Sequence, residues 1–160
     1  MQKQEKFNKT FIYKPMRLIL DTNVVIDMLH FSDPHTQMLA AGLVSGQWQC
    51  FTDTPCLAEL ERVCAYPEFA LDAAAQQTLL ARYQQQATLC DARGEENYPL
   101  PRCRDHDDQK FLLLAARCHA DLLITRDKHL LRLASHRHLP PPFAIVSLQK
   151  FAAEHPALPV

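Results

Sequence analysis

Glycine and long apolar runs are both scarce in this sequence. Only 3 of its 160 residues are glycine, which excludes the glycine-rich loops that bind nucleotide phosphates. No stretch is long and apolar enough to span a bilayer, and the polar residues 1–15 lack the apolar core of a signal peptide. We therefore expect a cytoplasmic protein with no membrane partner.

Paired cysteines and an excess of basic charge are also missing. The six cysteines form no CxxC pair and no HxxxH pattern accompanies them, so we expect reduced, mostly buried thiols and no zinc site. The formal net charge is −1, which means that the molecule as a whole does not attract nucleic acid. Any contact with RNA must come from a local basic patch.

Short apolar segments alternate with longer amphipathic segments along the chain. They predict strands at residues 17–20, 49–52, 122–125 and 144–146, with helices between them. This alternation predicts one α/β domain with a parallel sheet covered on both faces. We assign residues 16–154 to the domain, residues 1–15 to a flexible N-terminal extension and residues 155–160 to a C-terminal tail.

Capping residues mark several predicted helix starts. Asp33-Pro34 and Thr54-Pro55 each combine a capping side chain with proline in the first turn. Asp107 or Asp108 is expected to cap a helix that runs to about residue 119. Residues 71–87 are predicted to form one long helix, and Ser147 is predicted to cap the last helix.

Acidic residues fall at the predicted ends of two strands. Asp21 follows the first strand directly, and Asp127 comes two residues after the third predicted strand. Ligands of open parallel sheets bind beyond the carboxyl ends of the strands. Because parallel strands share that edge, we expect both carboxylates to lie there.

Further acids are predicted to approach the same edge. Asp108 lies at the start of a helix, on the face that carries the apolar residues three, four and seven positions later. Asp105 and Asp107 lie in the turn before it. Glu59 is one turn into the helix that follows the second strand, so its carboxylate can also reach the edge.

Such a cluster predicts a cation. Several carboxylates at one edge repel each other unless a cation compensates them. Oxygen ligands without paired His or Cys favour Mg²⁺ or Mn²⁺, and two such ions roughly 3.5–4 Å apart can promote phosphodiester hydrolysis. Each acid also has a simpler interpretation. Asp21 could be a turn residue and Glu59 a solvated helix residue, while Asp127 and the acids of the Asp105–Asp108 segment could be helix caps.

Four sequence segments together resemble the motifs of PIN domains. They are LDTNV at 20–24, LAEL at 57–60, CRDHDDQKFL at 103–112 and ITRD at 124–127. Their order and spacing are similar to those of the family from about residue 17 to residue 152. Among PIN domains, the pattern is most similar to the VapC-like toxins of bacterial toxin–antitoxin pairs.

The resemblance implies a three-layer α/β/α sandwich with a central, mostly parallel sheet, Mg²⁺- or Mn²⁺-dependent RNA cleavage, and a homodimer. A cognate antitoxin protein would be a further partner.

The resemblance also implies catalytic, metal-ligand roles for Asp21, Glu59, Asp108 and Asp127. It implies supporting roles for Asn23, Thr125, Asp105 and Asp107. The subfamily usually has Pro where His106 stands, and often an acid or Asn at Gln109. The third acid therefore stays open among Asp105, Asp107 and Asp108, with Asp108 our choice from its helix face.

Two other functions are compatible with parts of this pattern. A HAD-type phosphatase also has an Asp after its first strand, but it needs a second Asp where this chain has Asn23. A catalytically silent PIN module would bind only RNA or protein.

For the nuclease, the basic residues predicted near the edge would contact RNA phosphates. They are Arg104, Lys110, Arg126 and Lys128.

Overall fold

The sheet of this protein is built from five parallel strands. The computed structural model describes residues 14–156. The strands are β1 (Met16–Leu20), β2 (Trp48–Thr52), β3 (Ala87–Leu89), β4 (Leu122–Thr125) and β5 (Ala144–Ser147). Their order is β3-β2-β1-β4-β5, and every neighbouring pair is parallel. Strands β2 and β3 lie on one side of β1, and β4 and β5 lie on the other, so the strand order reverses between β1 and β4.

Helices connect the strands. They are α1 (Thr22–Ile26), α2 (Gln37–Ser45), α3 (Thr54–Cys64), α4 (Ala73–Gln86), α5 (Gln109–Arg117), α6 (Lys128–Leu131) and α7 (Leu148–Glu154). A π-helical turn, Asp27–Phe31, extends α1, and short 3-10 turns precede α2 and α5 and follow α3 and α6. No helix among residues 14–156 is long and apolar enough to cross a membrane.

Alternating strand residues divide the core into two clusters. Leu18 and Leu20 of β1 belong to the cluster that includes residues of α1, α2 and α7, whereas Ile19 belongs to the cluster that includes α5 and α6. Side chains of a strand point to opposite faces in turn, so helices cover both faces of the sheet. The expected α/β/α sandwich is confirmed, and its sheet is entirely parallel.

Two helix caps differ from the sequence prediction. The side chain that caps α3 is Asp53, which accepts a hydrogen bond from the Cys56 amide at 2.9 Å; Thr54 is already helical. The turn before α5 is capped by Asp105, which accepts from the Asp107 amide at 3.0 Å. Asp107 and Asp108 therefore do not provide that cap. Ser147 caps α7 as predicted, by accepting from the Lys150 amide.

Strand β3 was not predicted by the sequence pattern. Ala87 was expected to end the long helix, but α4 ends at Gln86 and Ala87 begins β3. All six cysteines are free thiols, as expected. The predicted extension lies outside the described residues except for its last two positions, and residues 157–160 of the predicted tail also lie outside them.

Candidate active site

The candidate site lies at the carboxyl edge of β1 and β4. Leu20 pairs with Ile124 in the ladder, and the Asp21 amide donates to the Ile124 carbonyl at 3.0 Å. Asp21 and the residues after β4 are thus at one edge, where the strand order reverses. Open α/β sheets bind their ligands at this kind of position.

Thr125 connects two of the acidic residues. Its hydroxyl donates to Asp21 Oδ2 at 2.7 Å and accepts from the Asp127 amide at 2.9 Å. The side chain is fully buried, so this geometry is held by the surrounding core. The structure therefore places Thr125, an expected supporting residue, between Asp21 and Asp127.

Asp21 is buried without a basic partner within the described residues. Its residue is 4 % exposed, and burial raises the pKa of its carboxyl to about 6. The Thr125 hydrogen bond opposes that rise, while the charges of Glu59 and Asp127 add to it. A carboxylate in this position gains stability from any added cation.

Asp108 reaches the same group of acids from the turn before α5. Burial raises the pKa of its carboxyl to about 8, and the proximity of Asp127 and Asp21 adds to the rise. Its Oδ2 atom is buried and has no hydrogen-bond partner among the described residues. A buried, unpartnered carboxylate oxygen is costly unless a ligand supplies the missing contact.

Glu59 differs from the three aspartates because basic side chains compensate its charge. Lys110 Nζ is 2.9 Å from Glu59 Oε1, and the Thr22 hydroxyl donates to Glu59 Oε2. Arg62 Nη2 lies 3.9 Å from the same Oε1 atom. Because Thr22, Glu59 and Lys110 belong to α1, α3 and α5, this contact connects three helices around the site.

The other predicted supporting residues are more peripheral. Asn23 and Asp107 are exposed, and Asp105 acts as the cap described above. Asp127 also fits its simpler interpretation, because its Oδ1 accepts from the His129 amide at 2.7 Å and so caps α6. The sheet edge thus brings together Asp21, Asp108 and Asp127, with Glu59 close enough to affect the pKa of Asp21.

Two contacts at this edge were missed by the sequence reasoning. Asp27 is buried in the π-helical turn, and its Oδ2 lies 2.9 Å from Arg126 Nε. Asp27 is a charged residue inside the apolar stretch after Asp21, and this position in the sequence could have indicated a buried ion pair. The pairing of Lys110 with Glu59 had no comparable signal, because it depends on how α3 and α5 pack.

The basic residues near the site fall into two groups. Lys110 and Arg126 are engaged with Glu59 and Asp27, whereas Arg104 and Lys128 are exposed and form no ion pair within residues 14–156. A shallow groove of about 240 Å³ lies beside Glu59. Its lining residues are Pro55, Ala58, Glu59, Arg62, Asp107 and Lys110.

The donor chemistry of the acids fits a divalent cation. Among residues 14–156, no group of three or more Asp, Glu, His or Cys side chains is already arranged so that it could hold a metal ion. The fit rests on the buried, unpartnered Asp108 Oδ2 and on the carboxyls of Asp21 and Asp108, whose pKa values are raised first by burial and then by the neighbouring acids. Oxygen donors of this type suit Mg²⁺ or Mn²⁺ better than zinc.

The fold and the acidic edge define a class of α/β/α proteins with a carboxylate site at the strand-order reversal. Within it, a family model described as PIN domain matches residues 17–129, which is most of the chain, and the chain belongs to this family. The match spans all four predicted acids. PIN domains are generally nucleases that use divalent metal ions, so the family supports hydrolysis of phosphodiester bonds. No curated protein gives a significant match to the chain.

Proposed function

We propose that this protein is a divalent-metal-dependent endoribonuclease that hydrolyses RNA phosphodiester bonds. The observation that carries the proposal is the group formed by Asp21, Asp108 and Asp127 at the carboxyl edge, whose carboxylate oxygens have no basic side chain within 4.0 Å among residues 14–156. An acid cluster that destabilises the metal-free protein is expected where a cation is needed for chemistry.

The four acids have two different roles in this proposal. Asp21, Asp108 and Asp127 would hold Mg²⁺ or Mn²⁺, and Thr125 orients Asp21 and Asp127 through its hydroxyl. Glu59 is the fourth acid, already engaged by Lys110. A divalent ion held there would supply charge neutralisation at the phosphate and activation of water.

Local basic side chains would align the RNA backbone. Arg104, which precedes the Asp105–Asp108 segment, and Lys128, which follows Asp127, are both exposed. Arg62 and Lys110 line the groove beside Glu59. Phosphate contacts of this kind give affinity without sequence specificity. They also account for RNA binding by a molecule whose net charge is −1.

A biological role as the toxin of a toxin–antitoxin pair is part of the proposal, supported by the sequence resemblance. The protein would then act as a homodimer in the cytoplasm and be inhibited by an antitoxin protein. Induced expression of the chain should arrest growth, while Asp21→Asn should not. Light scattering of the purified protein tests the dimer separately.

Cleavage of a mixed RNA pool tests the proposed activity. We expect cleavage in Mg²⁺ or Mn²⁺, loss of cleavage in EDTA and little effect of a zinc-selective chelator. Metal binding without turnover on varied RNAs would instead support a silent PIN module. Release of phosphate from small phosphoesters without RNA cleavage would support a phosphatase.

A further inference from the structure

Positive charge is distributed unequally over the acidic group. Both carboxylate oxygens of Glu59 are occupied, one by Lys110 and the other by Thr22. On the opposite side, no Lys, Arg or His side-chain nitrogen within residues 14–156 lies within 4.0 Å of a carboxylate oxygen of Asp21, Asp108 or Asp127. The site is therefore compensated on one side and uncompensated on the other.

Lys110 is held in place more firmly than the other basic residue at Glu59. Its side chain is 21 % exposed, against 61 % for Arg62, and its nitrogen lies 2.9 Å from Glu59 Oε1, against 3.9 Å. Lys110 also follows Asp108 by two residues at the start of α5, so the backbone that positions Asp108 positions this ammonium group too.

A partly buried ammonium–carboxylate pair resists replacement by a free ion. The two groups gain a charge-assisted hydrogen bond in a setting that is poorly solvated. A divalent ion that used Glu59 would have to displace the ammonium group and leave it close to the new charge. Among the described residues, Asp21, Asp108 and Asp127 have no such competitor.

We propose that the Lys110 ammonium takes the place of a second metal ion, so that the site binds one divalent cation at Asp21, Asp108 and Asp127 while Lys110 supplies the positive charge beside Glu59. This inference rests on the proposed metal dependence and deepens it. It departs from the two-ion arrangement that the acid count alone predicts. Lys110 is then a positioning residue that holds Glu59 and presents its charge to the groove.

Counting bound Mn²⁺ tests the inference without measuring activity. Metal-free full-length protein is titrated with Mn²⁺, and free ion is followed by electron paramagnetic resonance. We expect one ion per chain for wild type and two for Lys110→Met, which frees Glu59 while keeping most of the unbranched apolar stem. Arg62→Gln is the matched control, since it removes a charge near the same Oε1 atom, and it should bind one ion.

A double variant connects the second ion to Glu59. Lys110→Met combined with Glu59→Gln should return the count to one ion, with circular dichroism used to check that each variant is folded. Two ions in wild type, one ion in Lys110→Met, or two ions in Arg62→Gln would each overturn the inference but leave the metal-dependent nuclease intact. No bound Mn²⁺ in wild type would overturn the proposed function as well.

Discussion

Asp21 depends on a neutral partner for its main side-chain contact. Thr125 donates one hydrogen bond to it, and the charged groups that raise its pKa, Glu59 and Asp127, have the same sign. A buried carboxylate in such a setting favours its protonated form. The residue that is best placed for metal binding is therefore a source of instability in the metal-free protein.

Replacing Asp21 with Asn should stabilise the metal-free protein. The amide keeps the shape and can still accept from Thr125, while the buried charge and its repulsions are removed. We expect a gain of about 1–3 kcal/mol in the free energy of unfolding at pH 7.5, measured by urea denaturation in EDTA. Asp121→Asn, at the opposite edge of the sheet, should give no gain. A less stable Asp21→Asn protein would contradict this electrostatic account.

The pH dependence of stability follows from the same groups. Asp21 and Asp108 have pKa values of about 6 and about 8 in the folded protein, above the ordinary 3.8. The folded state therefore keeps protons that the unfolded chain has released, and stability falls as pH rises through these values. Metal-free melting temperatures should decrease from pH 5.5 to 8.5, and the decrease should be smaller for Asp21→Asn. A wild-type melting temperature that stays constant or rises over this pH range would contradict the raised pKa values of Asp21 and Asp108.

At the residue scale, the sequence indicated which acids lie at the edge but not how each is compensated. The strand ends predict Asp21 and Asp127 directly, whereas the helix face only favoured Asp108 over Asp105 and Asp107. The Lys110–Glu59 and Arg126–Asp27 pairs arise from packing between elements distant in sequence. The position of Asp27 in an apolar stretch hinted at a buried charge, but no local pattern identifies the basic partner of Asp27 or of Glu59.

At the element scale, Arg117 near the end of α5 connects α5 to the start of α3. Its guanidinium donates to Asp53 Oδ2 at 3.0 Å, to both oxygens of Glu96 and to the Cys90 carbonyl. Asp53 thus caps α3 and accepts from a partly buried arginine. Since α3 carries Glu59 and α5 carries Lys110, this network also fixes the two helices that meet at the site.

Loss of the Asp53 side chain should cost more than loss of an ordinary helix cap. Asp53→Ala removes the cap and one partner of Arg117, for an expected loss of about 2–4 kcal/mol. Asp72→Ala is the matched control, because Asp72 caps α4 through the same type of bond at 2.8 Å but is exposed; it should cost about 1 kcal/mol. Urea denaturation compares the two, and equal losses would show that Arg117 adds nothing.

The predictability of the elements depended on their apolar content. β1 and β4 are buried and read directly as strands, whereas β3 has three residues and is largely exposed. Ala87 also continues the composition of α4, so its sequence favours a helix. Asp53 was missed because Thr54 and Pro55 form an equally plausible capping signal one position later.

At the scale of the whole molecule, RNA binding has to come from local charge. Arg104 and Lys128 are exposed and unpaired within the described residues, in contrast to Lys110 and Arg126. Neutralising both to Gln, in an Asp108→Asn background that prevents cleavage, should flatten the plot of log affinity for single-stranded RNA against log salt by about 1.4. Lys14→Gln, just before β1 at the opposite edge, should leave that slope unchanged. An unaltered slope in the double variant would place the RNA path elsewhere.

The central claim is that the acids at the carboxyl edge, and Asp108 among them, carry out metal-dependent RNA cleavage. The direct measurement is the single-turnover rate on RNA in Mn²⁺, with and without EDTA, for wild type, Asp108→Asn, Asp107→Asn and Asp121→Asn. We expect Asp108→Asn to lose on the order of a hundredfold or more, with Asp121→Asn near wild type and Asp107→Asn far less affected than Asp108→Asn. Cleavage that persists in EDTA, or an Asp108→Asn protein that keeps more than about a tenth of the rate, would contradict the account.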